Sequence, residues 1–306
     1  GAALVVVAPA GAGSGEWRTL APSLLERTEV GAGRISDRIY VVGGVTPDGM
    51  STGRMVRYDI SDDVWAEVAP LPIQVNHPGV TALGGHVYLL GGFADGGAIS
   101  DRLYRYDPGP DRWRQLPTAP TARGALALVG IHGRLYAAGG QTAETGEYRG
   151  LEIYDVKRRR WREGPPMPTG RNHVGAAVWK DSILVTGGRT NSGENLDVVE
   201  RYLPGRDHWN RFQSLTTPRS GHATVSIAGS LYAFGGEELQ PGGSTIAEVE
   251  AWRPQTGRWS ALPPMTTPRH GLGGVSYRGS VYAVEGGPQP GLAFSSALES
   301  LAVSPP

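Results

Sequence analysis

Arginine recurs at a fixed interval along this chain. At steps of 48, 48, 48, 48 and 50 residues stand Arg27, Val75, Arg123, Arg171, Arg219 and Arg269. A guanidinium fork matches a carboxylate in two parallel hydrogen bonds, so five such groups gathered around one opening would bind an acidic ligand. A second periodic position carries acid: Glu152, Glu200, Glu250 and Glu299, with Val56 and Tyr104 in the first two repeats. The repeat with Val75 and Tyr104 lacks both partners, and this joint absence favours scaffold pairing for Arg123, Arg171, Arg219 and Arg269. Arg27 has Val56 where the later repeats have glutamate. It is the arginine most readily assigned to a ligand, with Glu26 and Glu29 as local alternatives.

The positions just after the arginines are polar and varied: Thr28, Asn76, Asn172, Ser220 and His270, then His77 and His173 one residue further. A second group of loops adds Phe93, Tyr148, Arg189, Asn191 and Phe294. Polar groups and aromatics around a concave mouth suit a small binding pocket. The seven histidines are scattered, and no H-x-x-x-H pair occurs, so helical zinc-site spacing is absent and neither metal nor cofactor is expected. Nucleophile-elbow and phosphate-loop patterns are also missing. The chain has no cysteine, which excludes disulfides, thiolate metal sites and cysteine nucleophiles.

What must position these residues is a repeat. Tryptophan falls at 17, 65, 113, 161, 209 and 259, with the same spacing as the arginines. Short apolar runs, such as "IYVV" from Ile39 and "VYLL" from Val87, lead into the glycine pairs Gly43-Gly44, Gly91-Gly92, Gly139-Gly140, Gly187-Gly188 and Gly235-Gly236. In the sixth repeat Glu285 takes the place of the first glycine, where it is either a functional carboxylate or a partner of Arg269. Four apolar residues bounded by glycine have strand length and lack helical spacing. The Tyr-Asp and Trp segments, separated by about six polar residues, read as a hairpin. Each unit therefore predicts four antiparallel strands, with prolines marking the passage to the next unit.

Repeating four-stranded sheets of this length predict an all-β, six-bladed β-propeller rather than a solenoid, which needs polar terminal caps. The last unit stops short of a Trp strand, whereas "GEWRTLAP" at 15–22 is a Trp strand without a unit. The N-terminal strand thus completes blade 6. The expected domain is a single propeller over 15–306, preceded by a tail over 1–14.

The stretches "PRSGHATVSIAGSLYAFGG" (218–236), "IAEVEAWRPQTGRWSALPPM" (246–265) and "GRNHVGAAVWKDSILVTGG" (170–188) resemble the Kelch repeat, and the resemblance extends from 17 to about 303. It implies a ligand face made of the loops before each inner strand and those after each glycine pair. Family partners range from peptides and proteins to small sugars. The Kelch-like copper oxidases use a Tyr-Cys cofactor, which a chain without cysteine cannot form.

Two readings follow. The first is a binding module, presenting Arg27, Asn76, His77, Arg123, Arg171, Asn172, Arg189, Arg219, Ser220, Arg269 and His270 to a peptide, protein or glycan with acidic or polar groups. The alternative is an exported carbohydrate-active enzyme resembling sialic-acid mutarotases and epimerases. Charge is balanced, with 29 basic and 29 acidic residues, so no field favours nucleic acid. No segment is long and apolar enough to span a membrane. The start, "GAALVVVAPAGAGSG", has an apolar run and an A-x-A form at Ala8-Pro9-Ala10. It reads as the remnant of a signal peptide, with an extracellular or periplasmic protein, or as a linker. A monomeric propeller is expected, alone or as the adaptor part of a larger chain.

Overall fold

A computed structural model describes residues 15–303; the apolar run and Ala8-Pro9-Ala10 lie outside the described residues. Among them, no helix is long and apolar enough to cross a membrane. The described residues form six four-stranded antiparallel sheets. The innermost strands are Gly31–Ile35, Gly79–Leu83, Ala127–Ile131, Gly175–Trp179, Ala223–Ile227 and Gly273–Tyr277, each neighbouring the next around a central channel. Blade 6 comprises Gly273–Tyr277, Ser280–Val284, Leu298–Ala302 and, outermost, Trp17–Thr19. Trp17 lies opposite Leu301 and Thr19 opposite Glu299, so the first strand among the described residues closes the ring.

The second strand of each blade is apolar on both faces because both faces are covered. Ile39, Val41 and Val42 have no exposed surface, and Ser182–Thr186 is buried throughout. The core is therefore a set of layers between blades. One layer packs Val129 and Tyr136 of blade 3 against Val185 and Tyr202 of blade 4, with the two tyrosine rings 5.8 Å apart.

The periodic tryptophans bind each blade to the one before it. Trp65 Nε1 donates to the carbonyl of Ala21 at 2.8 Å, Trp113 to that of Ala69 at 2.9 Å and Trp161 to that of Pro117 at 2.9 Å. Trp209 and Trp259 repeat the bond to Pro165 and Gln213. Trp17 makes the equivalent bond to Pro263 of blade 5, at 3.2 Å. An indole N–H needs a partner when its ring is buried, and here the partner is always a carbonyl in the crossing that leaves the neighbouring blade.

Candidate functional site

The arginine ring belongs to the wall. Arg27, Arg123, Arg171, Arg219 and Arg269 have no exposed surface. Four of them meet the glutamate on the third strand of their own blade: Arg123 with Glu152 at 2.6 Å, Arg171 with Glu200 at 2.5 Å, Arg219 with Glu250 at 2.8 Å and Arg269 with Glu299 at 2.9 Å. Other N–H groups serve backbone carbonyls, while Arg123 Nε and Arg171 Nε have no hydrogen-bond partner among the described residues. Arg219 Nη1 donates to Gly235 and Glu248, and Arg269 Nη1 to Glu285 and Ala297. The guanidinium groups of Arg171, Arg219 and Arg269 thus tie the second strand of the blade to the third, whereas Arg123 bonds only Gly150 and Glu152, at the third strand.

Arg27, which the sequence leaves freest for a ligand, is as deeply committed as the others. Its Nε and Nη2 donate to the two oxygens of Glu285, at 2.8 and 2.9 Å, and Ser23 Oγ donates to the same carboxylate at 2.6 Å. Glu285 is the partner of Arg27, not of Arg269, whose Nη1 takes only its backbone carbonyl. Blade 1 lacks a third-strand glutamate, and blade 6 supplies the carboxylate from the position where the other blades have glycine. Glu285 keeps the glycine-like backbone, with φ of 54°. In blade 2, Val75 is buried in the arginine's place with no charge to compensate.

A candidate site sits two residues beyond the arginine position of each blade. There the chain turns through positive φ in every blade: Glu29 (56°), His77 (51°), Ala125 (53°), His173 (51°), Gly221 (62°) and Gly271 (58°). The turns are linked around the channel. His77 N–H donates to Glu29 C=O, Ala125 to His77, His173 to Ala125, Gly221 to His173 and Gly271 to Gly221, at 2.8–3.0 Å, and Val30 N–H closes the circle on Gly271 at 3.1 Å. Left-handed backbone disfavours glutamate and histidine by about 1–2 kcal/mol per residue. Glycine would serve the scaffold at lower cost, as it does in blades 5 and 6. Strain retained at Glu29, His77 and His173 is what a functional site accumulates.

These side chains form one continuous network. His77 Nε2 faces Glu29 Oε2 at 3.0 Å, and His270 Nδ1 lies 3.1 Å from Glu29 Oε1 and 3.4 Å from Glu237 Oε2. Arg189 Nη1 donates to Glu237 at 2.8 Å, and its Nη2 donates to His173 Nε2 at 2.8 Å. The His77 and His173 rings are 4.7 Å apart, and Phe93 packs edge-on against His77 at 5.3 Å. Together with the small residues Ala125, Gly221 and Gly271, Glu29, His77 and His173 line a recess of about 100 Å³. Below it, the channel between the inner strands encloses about 300 Å³.

Electrostatics follow from these neighbours. Burial alone would raise the Glu29 carboxyl, but His77 and His270 outweigh it and hold the group well below the usual carboxylate range. Burial would lower His270, and Glu29 and Glu237 reverse that and push it up. Burial, aided by His77 and Arg189, holds His173 well below the ordinary histidine value. The mouth therefore offers carboxylates, a stabilised imidazolium and a neutral imidazole within one network.

His222, on the wall of the same recess, is likewise held well below its ordinary value by burial, with Arg219 and Arg171 adding to the effect. An unfolded histidine titrates near pH 6.5, so as pH falls below about 6.5 the unfolded chain takes up a proton that the folded one refuses. Stability is lost over that window. Urea unfolding should show His222→Gln gaining stability relative to the parent protein between about pH 7 and about pH 5. An unchanged difference would mean that His222 takes no part in the acid response.

Of the residues expected at the mouth, the structure brings together Asn76, His77, Asn172, Arg189 and His270, with Ser220 buried beside Arg189 at 3.5 Å. Tyr148 lies apart, its ring 5.0 Å from the Arg123 guanidinium. The fold brings together ligand-type atoms that no sequence spacing displays. Glu29, His77 and His173 present ligand atoms all within 4.8 Å of one another, as do Glu29, Glu237 and His270. Glu29, a sequence neighbour of Arg27, and Glu237 join the site without being among the residues expected there. The signal was present, because Glu237 follows its glycine pair as Phe93 and Arg189 follow theirs.

The Kelch motif matches residues 26–72, 75–120, 122–168, 170–216 and 218–266. No curated protein matches the chain. Among solved structures the chain is similar to that of YjhT, with a TM-score of 0.80 and 15% identity over 91% of this chain and 95% of that one. At that identity the likeness is one of fold. The motif matches cover most of the chain and coincide with its observed blades, and the chain belongs to the Kelch-motif family.

Proposed function

We propose that this Kelch propeller is a binding module that takes a polar ligand, a sugar in the first instance, into the mouth formed by Glu29, His77, His173, Arg189, Glu237 and His270. One observation carries the reading. At six equivalent turns the chain places three ionisable side chains and three small residues, so the mouth is asymmetric where the scaffold is symmetric. The burial of the five repeating arginines removes the basis for a strong preference for acidic ligands. What remains alternates acceptors and donors, as hydroxyl groups require. The recess admits one such group, and the surrounding loops meet the rest of the ligand.

Calorimetry of the whole protein against a panel of sugars and sugar acids is the test. For a sugar that binds, Arg189→Met should weaken affinity about tenfold or more, the loss expected for a charged hydrogen bond. The melting curve should stay that of a folded propeller. Binding that is indifferent to Arg189→Met, or absent for every sugar, defeats the reading.

The 3.0 Å contact of Glu29 with His77 also favours a second reading, a sugar mutarotase or epimerase in which this pair moves the proton during ring opening. Proton NMR of anomer exchange separates the two: the enzyme accelerates exchange over buffer and the binding module does not.

A further inference from the structure

We propose that Glu29, His77 and His173 bind a divalent transition-metal ion at the channel mouth. Two asparagines orient the imidazoles. Asn172 Nδ2 donates to the Gly146 carbonyl at 2.5 Å, which turns its Oδ1 towards His173 Nδ1. Asn76 Nδ2 donates to Ser51 Oγ at 2.8 Å, and Ser51 in turn donates to Asp95, so Asn76 Oδ1 also faces the Nδ1 of its histidine. A carbonyl oxygen only accepts, so both histidines carry a proton on Nδ1. Both Nε2 atoms are thereby directed into the mouth, where His77 Nε2 stands 3.0 Å from a Glu29 oxygen.

An imidazole lone pair and a carboxylate oxygen facing each other call for a cation between them, a proton or a metal ion. The third ligand atom, His173 Nε2, lies within 4.8 Å of the other two. Fixing the far nitrogen of each imidazole with an acceptor is how metal-binding histidines are oriented. Two imidazoles and one carboxylate suit zinc, iron(II), cobalt(II) or copper(II) rather than calcium or magnesium, which prefer oxygen. His270 Nδ1 lies 3.1 Å from the other oxygen of Glu29, Oε1, so Oε2 is left for the ion. The recess over Ala125, Gly221 and Gly271 has room for a water or a ligand atom in the open coordination position.

One group competes. Arg189 donates to His173 Nε2 at 2.8 Å and must release it, keeping its bond to Glu237, when the ion enters. Arg189→Met should therefore tighten metal binding several-fold, whereas a scaffold role for these histidines gives no such gain.

The experiment is calorimetric titration of the chelator-treated whole protein with zinc chloride. One ion per chain is expected. His77→Asn and His173→Asn, chosen because asparagine tolerates positive φ, should each weaken binding by about 100-fold or more, and Asn172→Ala by about 10–100-fold. Nitrogen NMR of the unaltered protein needs no variant: on adding zinc the His77 and His173 Nε2 signals should shift while those of His86, His132 and His208 stay. No zinc binding, binding unmoved by the asparagine variants, or shifts confined to the other histidines would overturn the site. The inference shares the mouth with the sugar reading but does not rest on it. Zinc uptake without sugar binding leaves it standing, and sugar binding in the presence of chelator leaves the sugar reading standing alone.

Discussion

Glu285→Gly is expected to destabilise the propeller by about 2–4 kcal/mol, although it restores the glycine present at that position in the other five blades. Removing one member of a buried ion pair strands the other, at about 3–5 kcal/mol. The stranded group is Arg27, fully buried, with two N–H groups and a charge directed at the lost carboxylate. Against this, glycine relieves the left-handed backbone of residue 285 and recovers about 1 kcal/mol. Arg27→Val alone should be comparably damaging, because it leaves Glu285 buried and unpaired. The double variant should recover most of either loss, because Val75 beside Gly43 already provides that combination in a neighbouring blade interface. Urea unfolding of the four proteins gives the coupling energy directly. Additive losses would show that Arg27 and Glu285 are held independently, and the pairing would lose its energetic meaning.

That pair also shows what a periodic sequence discloses. Arginine and glutamate share four repeats, and their joint absence from blade 2 exposes the pairing before any coordinates are known. Arg27 and Glu285 break the pattern together, from opposite ends of the chain, and only ring closure makes them neighbours. The blades and the split sixth blade were legible because each is repeated local pattern: apolar run, glycine pair, aromatic, tryptophan. The mouth was legible only in part. Asn76, His77, Asn172, Arg189 and His270 stand out as polar residues in loops. Glu29 was obscured because the direction of its side chain depends on the positive φ at that turn, which sets it towards His77 and His270 rather than Arg27. The contacts that define the site join different blades, such as Glu29 with His270, and no spacing motif can record them.

Removing the chain through Leu20 is expected to have the largest effect of all, because it opens the ring. The strand Trp17–Thr19 is short, and only Trp17 among its residues is partly buried. Its role lies in what it covers and joins. Without it, Leu298–Ala302 becomes an edge strand with unpaired backbone groups, a template for pairing with another chain. The Trp17 ring, 5.8 Å from Phe234 and bonded to Pro263, is the link between blades 5 and 6 that the other tryptophans supply elsewhere. Just beyond the strand, the Leu20 N–H donates to Leu298, Ser23 to Ser296 and Arg27 to Ser295, so the passage into blade 1 is fastened to blade 6 over its whole length. Trp17→Ala tests the indole link alone and should remove about 3 kcal/mol, at the low end for a tryptophan because the ring is only partly buried. The truncation removes the link and the strand together. It should lower the unfolding midpoint further and make the protein associate in sedimentation experiments. A truncated chain as stable and as monodisperse as Trp17→Ala would mean that the indole, and not the strand, closes the propeller.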